Sequence, residues 1–196
     1  SYELSKPEIQ DYSREINRAL KSQFRQLESV LTWSRLQLNR FEIRKEDVDL
    51  AGIITESVEV LSRNAEAKKV TIRIENYPEQ KVHTDGQIMT TVLHNLLGNA
   101  IKFSPVDTTV TIRSQVEEGC LKLSVSDQGV GMPPDIVGKL FSLGENISTK
   151  GTANEKGTGL GLILCNEMIQ KLGGAITVNS EVGKGTEFLV RVPLGG

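Results

Sequence analysis

The sequence has little that would mark a secreted, membrane-spanning or disulfide-bonded protein. Only two cysteines occur among 196 residues, Cys120 and Cys165, each within a largely apolar run. We interpret them as buried free thiols of a reducing compartment. No apolar stretch approaches the roughly 18 residues of a membrane-spanning helix, and Ser1 opens a polar segment unlike a signal peptide. We therefore expect a cytoplasmic chain without membrane contact of its own, which leaves membrane attachment of a longer protein open.

An excess of charge of one sign is also lacking. The chain has 23 basic and 25 acidic residues, a formal net charge of -2, mixed along its length. Proteins that bind nucleic acid usually concentrate basic residues in a stripe or patch, and none stands out here. We expect no nucleic-acid partner, and any anionic ligand must be held by a few local groups.

Glycine and proline are absent from Glu8 to about Arg40, which predicts one long helix. Its apolar residues recur at steps of mostly three or four. They are Ile9, Tyr12, Ile16, Leu20, Phe24, Leu27, Leu31, Leu38 and Phe41. A lone helix has nothing to cover such a stripe, so the pattern predicts packing against other helices. We assign residues 1–46 to this helical part and residues 47–196 to a separate domain.

The second part alternates short apolar patterns with helical ones. Strands are predicted at about 70–74, 110–113, 121–125, 176–178 and 188–192, and helices at about 50–68, 86–103 and 159–172. This order predicts an α+β fold, a two-layer sandwich in which a mixed sheet of about five strands packs on three helices. Residues 141–158 are polar, glycine-rich and without periodicity, and we interpret them as a mobile lid or loop.

One predicted helix carries a polar face that suits a metal-bound nucleotide. Asn95, Asn99 and Lys102 stand at i, i+4 and i+7 and share a face, opposite several apolar residues. An asparagine oxygen can bind Mg²⁺, and a lysine ammonium can contact a phosphate. For these three residues alone, a solvated polar face is the default reading.

A carboxylate is directed inward at the end of a predicted strand. Asp127 follows Leu121–Val125 and, by alternation, shares the apolar face of that strand. A buried carboxylate needs a hydrogen-bond donor, and an amino group on a flat apolar ligand would serve. Gly129 and Gly131 let the backbone turn and approach such a ligand closely. A simple β-turn is the alternative reading.

A glycine run leads into the last predicted helix and could bind an anion through its backbone. The run is Gly157-Thr158-Gly159-Leu160-Gly161-Leu162. Backbone N–H groups at a helix start attract phosphate. The run is not the dinucleotide fingerprint, because Leu162 stands at the last glycine position. Residues 183–186 lack the spacing of a P-loop and predict a hairpin turn.

In this order and with these gaps, the three segments resemble the N, G1 and G2 boxes of histidine kinases. These kinases belong to the gyrase, chaperone, histidine kinase and mismatch-repair superfamily of ATP-binding domains. The resemblance covers roughly residues 47–196, with Leu140-Phe141 as a weak phenylalanine box and residues 185–188 as the closing strand. Residues 31–37 resemble the end of the second helix of the dimerisation and phosphotransfer hairpin.

The resemblance implies a role for each matching residue. Asn99 would bind Mg²⁺, Asn95 would assist it or orient the phosphates, and Lys102 would contact phosphate. Asp127 would accept a hydrogen bond from the adenine amino group, beside Gly129 and Gly131, which make room for the base. The remaining expected nucleotide contacts are Lys150, Lys156, Gly157, Thr158, Gly159, Leu160, Gly161 and Thr186.

The implied function is that of a sensor histidine kinase: transfer of the ATP γ-phosphoryl group to a histidine on a helical hairpin, then to a response-regulator aspartate. His83 and His94 lack the acceptor context, so we expect the acceptor outside this sequence. Related ATPases have a glutamate where Asn95 stands, which favours transfer over hydrolysis. We expect a homodimer through the N-terminal helix. A degenerate kinase that only binds ATP, and a protein-serine kinase or ATPase, are the rivals.

Overall fold

The computed structural model describes residues 5–38, 41–142, 151–153, 155 and 159–194. The chain divides into two compact units, Ser1–Phe41 and Glu42–Gly196. Lys150, Lys156, Gly157 and Thr158, which were predicted to contact the nucleotide, lie outside the described residues. Within the described part, no helix combines the length and the apolar character needed to cross a membrane.

The elements follow one another in the order that the sequence patterns predict. They are α1 (Lys6–Gln37), β1 (Glu46–Val48), α2 (Leu50–Ala67), β2 (Thr71–Asn76), β3 (Val82–Thr84), α3 (Gly86–Phe103), β4 (Thr109–Glu117), β5 (Cys120–Asp127), α4 (Pro134–Val137), α5 (Gly161–Lys171), β6 (Ala175–Glu181) and β7 (Gly185–Pro193). The short elements β1, β3 and α4 were not predicted, because three or four residues are too few to show a period.

The first unit is one amphipathic helix with an uncovered apolar stripe. At its start, the Glu8 carboxylate accepts a hydrogen bond of 2.8 Å from the Ser5 backbone N–H, as in a capping box. Side chains of the stripe, from Ile9 at 51% to Phe24 at 62%, are more than half exposed in the single chain. Contiguous apolar side chains are rarely left this exposed on a soluble monomer.

The second unit is a five-stranded mixed sheet covered by three helices on one face. Its strand order is β2-β4-β5-β7-β6, with β2 parallel to β4 and the other neighbours antiparallel. Helices α2, α3 and α5 pack side by side on this sheet. The predicted α+β two-layer sandwich is confirmed. Strands β1 and β3 form a separate antiparallel pair.

The core lies between α3 and the middle strands. Eight residues of α3 are buried, at positions 88, 89, 92, 93, 96, 97, 100 and 101, and they face Leu121, Leu123 and Val125 of β5, which are also buried. Each such side chain stabilises the fold by roughly 1.5–3 kcal/mol. The helix therefore has only one free face, which is the polar one.

The start of α3 is fixed by its N-cap residue, Asp85. The Asp85 carboxylate accepts hydrogen bonds from the backbone N–H groups of Ile88, at 3.0 Å, and Arg44, at 2.8 Å. Asp85 is only 5% exposed. An N-cap typically stabilises a helix by about 1 kcal/mol, and here the second bond also ties the helix to the segment before β1. These two hydrogen bonds fix the orientation of α3 about its own axis, and with it the direction of its polar face.

The two cysteines differ in their surroundings. Cys165 is free and buried, as predicted, and burial raises the pKa of its thiol to about 12. Cys120 is free but only partly buried, so the prediction that it is buried was wrong. It begins β5 on the face opposite Leu121, the outer face of the sheet, where alternation leaves side chains in contact with water.

Candidate nucleotide site

Asp127, the last residue of β5, is a buried carboxylate held by backbone donors. The residue is 8% exposed. Its Oδ1 accepts hydrogen bonds from the N–H groups of Gly129, at 2.8 Å, and Thr186, at 3.2 Å. Thr186 is also its partner across the β5–β7 ladder. No donor among the described residues reaches Oδ2, so this oxygen is the one that a ligand can use.

The surroundings of Asp127 make its charge costly. Burial raises the pKa of this carboxyl to about 6, against the opposing effect of the two backbone hydrogen bonds. At neutral pH the group is still ionised, with its negative charge in a partly dry environment. A buried acid at the end of a strand, with one oxygen held by backbone donors and no described donor at the other, is typical of a binding site.

The turn after Asp127 packs tightly against the rest of the domain. A Cβ at Gly129 would lie 2.6 Å from the Phe103 carbonyl oxygen, and a Cβ at Gly131 would lie 1.9 Å from the Glu181 carbonyl oxygen. Gly131 also has a φ of +64°. Both glycines thus lie against the protein's own backbone, at the end of α3 and at the β6–β7 hairpin, and Gly129 also lies against the Asp127 Oδ1. They bring these two elements together around Asp127.

Thr186 supports Asp127 from the opposite strand. It is 8% exposed, and its hydroxyl lies 2.8 Å from the Ser180 Oγ. Ser180 Oγ in turn accepts from the Met132 N–H at 2.9 Å. The Thr186 side chain is therefore part of an internal network, while its backbone N–H fixes Asp127. The turn at residues 183–186 does join β6 to β7, as the sequence predicted.

The polar face of α3 meets the start of α5. Asn95, Asn99 and Lys102 are all partly exposed, whereas the opposite face of the helix is buried. The Asn95 amide donates to the Thr91 carbonyl oxygen at 3.0 Å. Its Oδ1 lies 2.4 Å from where a Cβ of Gly161 would be. The glycine that begins α5 is thus needed for the close approach of these two helices.

The first turn of α5 has no side-chain cap. Its N-cap, Leu160, provides no side-chain hydrogen bond, so the helix lacks the cap that usually satisfies its first N–H groups. Gly159 has a φ of +73°, which favours glycine. Together with the partial positive charge of the helix start, this end of α5 suits a phosphate.

Lys102 lies at the other end of the polar face, in the last turn of α3. Its ammonium is 4.5 Å from the centre of the Phe103 ring. Burial lowers the pKa of Lys102, the nearby Glu155 carboxylate opposes that effect, and the Lys68 charge adds to it. The side chain is held close to the protein surface beside Gly151, whose Cβ would lie 2.6 Å from Lys102 Cγ.

Three residues near Lys102 were not found from the sequence: Lys68, Thr152 and Glu155. The Thr152 N–H donates to the Lys102 carbonyl oxygen at 3.1 Å, and its hydroxyl donates to the Ser104 carbonyl oxygen at 2.8 Å. Lys68 Nζ forms an ion pair of 3.0 Å with Glu155. Nothing in the local pattern signals these contacts, since the partners are far apart in the sequence.

No protein-only metal centre is present in the described part of the chain. No group of three or more His, Cys, Asp or Glu residues there could hold a metal ion. This donor set does fit a magnesium ion that arrives with a nucleotide, because Mg²⁺ commonly takes one or two protein oxygens and completes its shell with phosphate and water. Asn99, partly exposed on the polar face, offers such an oxygen.

The profile of the histidine kinase-, DNA gyrase B- and HSP90-like ATPases matches residues 84–196, more than half of the chain. The chain belongs to this family. The matched region begins just before α3 and includes Asp127, the start of α5 and the closing strand β7. The superfamily resemblance that the three sequence segments indicated is confirmed.

Proteins similar to this chain include histidine kinases. Histidine protein kinase DivJ of Caulobacter vibrioides is 31% identical over 171 residues, which are 86% of this chain and 28% of DivJ. The structure of full-length ShkA in complex with AMPPNP has a TM-score of 0.82 and 26% identity, and the match covers 99% of this chain and 40% of ShkA. The catalytic domain of histidine kinase ThkA has a TM-score of 0.66 and 26% identity, covering 79% of this chain and 97% of that domain. The chain spans less than a third of the length of the curated relatives it matches.

Proposed function

We propose that this chain is the ATP-binding catalytic part of a sensor histidine kinase. It would bind Mg²⁺-ATP and transfer the γ-phosphoryl group to a histidine on a helical hairpin, from which a response-regulator aspartate receives it. The observation that carries the proposal is Asp127, a buried carboxylate whose Oδ1 is fixed by two backbone donors. Its Oδ2 is left for the amino group of adenine, which would satisfy the buried charge.

The phosphates would lie along the polar face of α3, between Lys102 and the start of α5. Lys102 supplies a cation, and α5 supplies backbone N–H groups without a side-chain cap. Asn99 would hold the magnesium ion, which neutralises charge on the phosphate oxygens when bound. The residues outside the described part, Lys150 among them, stay predicted contacts of the same group.

Asn95 supports phosphoryl transfer over hydrolysis. Its amide donates to Thr91 and its oxygen lies against the Gly161 backbone, so the side chain contributes to the contact between α3 and α5. A neutral amide cannot take a proton from water, and it thus leaves no general base at this position. The attacking group we propose is an imidazole nitrogen, which needs no activation by a base.

The acceptor is proposed to be a histidine other than His83 and His94. His83 Nδ1 lies 2.9 Å from an Asp47 carboxylate oxygen, in the β1–β3 pair. His94 lies on α3, and its Nε2 is buried. Neither histidine is part of a helical hairpin. We propose instead that α1 is the second helix of such a hairpin, and that its exposed apolar stripe pairs with the first helix and with a second subunit. Because ATP and reduced thiols are cytoplasmic, we place this part of the protein in the cytoplasm.

Transfer in trans tests the proposal. The chain is mixed with a helical hairpin fragment that contains a candidate histidine, with Mg²⁺ and labelled ATP. We expect acid-labile, base-stable phosphate on the hairpin, and at least about a hundredfold less with Asp127→Asn, which offers the adenine amino group a poorer acceptor. ATP binding without any transfer, to hairpins from several kinases of this family, would instead indicate an ATP-binding signalling module. Labelling of His83 or His94 at a comparable level would show that the acceptor is misplaced.

A further inference from the structure

Lys68 lies outside every sequence motif and yet makes four polar contacts with described residues near the site. It is the C-cap residue of α2, and its side chain is only 14% exposed. Its Nζ donates to the carbonyl oxygens of Ile101, at 2.9 Å, and Lys102, at 2.7 Å, and to the Thr152 hydroxyl at 2.7 Å. The same ammonium pairs with Glu155 at 3.0 Å. A lysine usually keeps its charge in water, so such burial needs an explanation.

The contacts of Lys68 join three separate parts of the domain. They connect the end of α2 to the last turn of α3 and to the segment that contains Thr152 and Glu155. A cation at the C-terminus of a helix also satisfies carbonyl groups that have no partner within the helix. One side chain therefore both caps α3 and holds Thr152 and Glu155 against it.

The position of Lys102 depends on the same contacts. Its carbonyl oxygen is shared by Lys68 Nζ and the Thr152 N–H, at 2.7 and 3.1 Å. Gly151 fits against the aliphatic part of its side chain, and the Gly151 N–H donates to the Glu155 carbonyl oxygen at 2.9 Å. If Lys68 were removed, the segment beside Lys102 would lose its ion pair and one hydrogen bond, and Lys102 would gain freedom.

We propose that Lys68 is a positioning residue of the phosphate side of the nucleotide site. By holding Thr152 and Glu155 on the end of α3, it sets the place of Lys102. Lys68 itself contacts no nucleotide. The inference rests on the proposed function, because it assumes that the polar face of α3 receives phosphates.

A positioning residue and a residue that only stabilises the fold have different effects on the affinities for ATP and for adenosine. The adenine contacts, at Asp127 and the turn after it, involve none of the Lys68 partners. Loss of Lys68 should therefore weaken binding of ATP and leave binding of adenosine unchanged. A residue that merely stabilises the fold would affect both ligands equally, or neither.

The main experiment is calorimetric titration of Lys68→Met with Mg²⁺-ATP and with adenosine, using the whole 196-residue chain. We expect the ATP affinity to fall by about tenfold, because a displaced Lys102 would lose part of its charge-assisted contact with phosphate. The adenosine affinity should stay within about twofold. Lys122→Met is the matched control, because Lys122 forms an ion pair with Glu117 on the sheet, and it should bind both ligands as the wild type does.

A second variant covers the possibility that Lys68→Met fails to fold. Glu155→Gln removes the ion pair at a more exposed position, with 34% of the side chain exposed, and should lower ATP affinity by roughly threefold. In the double variant the two effects should be less than additive, because they break the same contact. Unchanged ATP affinity in these variants, or an equal loss for ATP and adenosine, would overturn the inference. If the wild type bound neither ligand, the proposed function itself would fail, and the two failures are distinguishable.

Discussion

The base side and the phosphate side of the site are built from different interactions. On the base side, Asp127 is held by backbone N–H groups, and Gly131 packs against the backbone of the β6–β7 hairpin. On the phosphate side, Lys102 is surrounded by side-chain contacts that centre on the Lys68–Glu155 ion pair. The first set lies at the end of β5, which pairs with β7 along its whole length, and the second set links three separate segments.

This difference in interactions indicates which half of the site is rigid in the absence of a ligand. Backbone hydrogen bonds between paired strands open only with the sheet itself, so the base side is fixed in the folded domain. Contacts between partly exposed charged side chains are weak and are screened by salt, so they can rearrange when a charged ligand competes for them. We therefore expect the base to bind first, to a rigid pocket. The residues around the phosphates would adjust afterwards.

The largest loss of stability is expected when a methyl group is introduced into the tightly packed base side of the site. Gly131→Ala would place a Cβ 1.9 Å from the Glu181 carbonyl oxygen, at a φ of +64°, and should cost roughly 3 kcal/mol or more in free energy of unfolding. Gly183→Ala is the matched control, since it has a φ of +78° but no atom within 4 Å. It should cost about 1 kcal/mol. Equal losses for both, in urea denaturation, would show that the base side yields as readily as a surface turn.

The next effect concerns the buried charge and its dependence on pH. Burial raises the pKa of Asp127 from 3.8 to about 6, so the folded state binds this proton more tightly than the unfolded state. The wild type therefore loses stability as pH rises from about 4 to about 6, in total by on the order of 2–3 kcal/mol. Asp127→Asn keeps an oxygen for the two backbone donors and removes the charge.

Urea denaturation of both proteins at several pH values measures this effect. We expect Asp127→Asn to be more stable than the wild type by about 2 kcal/mol near neutral pH, and the difference to vanish below about pH 4. If the same variant is more stable and no longer binds ATP, Asp127 contributes to function at the expense of stability. A stability difference that does not change with pH would mean that the carboxylate is well solvated in the folded protein.

The smallest of these effects belongs to the magnesium ligand on the phosphate side. Asn99→Ala should weaken Mg²⁺-ATP binding by about tenfold, equivalent to roughly 1.4 kcal/mol, since phosphate and water supply most of the metal's ligands. Folding should be unchanged because Asn99 is partly exposed, and adenosine affinity should be unchanged because adenosine has no phosphate with which to bring a metal ion. Titrations with and without Mg²⁺ separate the two contributions. A variant with wild-type affinity and magnesium response would exclude Asn99 as the ligand.

The sequence alone predicted the regular helices and strands. It also predicted which side chains lie on the same face of each of these elements. Alternation along β5 predicted that Asp127 faces inward, and the helical period of α3 predicted that Asn95, Asn99 and Lys102 share a face. Both predictions depend only on local geometry. They were confirmed because the buried patterns of these elements are long and regular.

The contacts between distant segments could not be predicted in the same way. Lys68 bonds to residues 33 and 84 positions away, and a single charged residue at a helix end gives no pattern that points to either. The packing of Gly131 against Glu181 joins two turns across the edge of the sheet, and a glycine in the sequence does not reveal which atom fills the space it leaves. The β1–β3 pair has three residues in each strand, which is too short for an alternating pattern to show.

The most direct test of this division is a nuclear magnetic resonance titration that follows backbone amide signals with adenosine and then with Mg²⁺-ATP. Adenosine should shift the signals of Gly129, Gly131 and Thr186 and leave those of Thr152 and Glu155 unchanged. Mg²⁺-ATP should shift the base-side signals in the same way and, in addition, those of Lys102, Thr152 and Gly161. Shifts at Thr152 with adenosine alone, or none at Gly129 with either ligand, would contradict a site with a fixed base side at Asp127 and an adjustable phosphate side at Lys102.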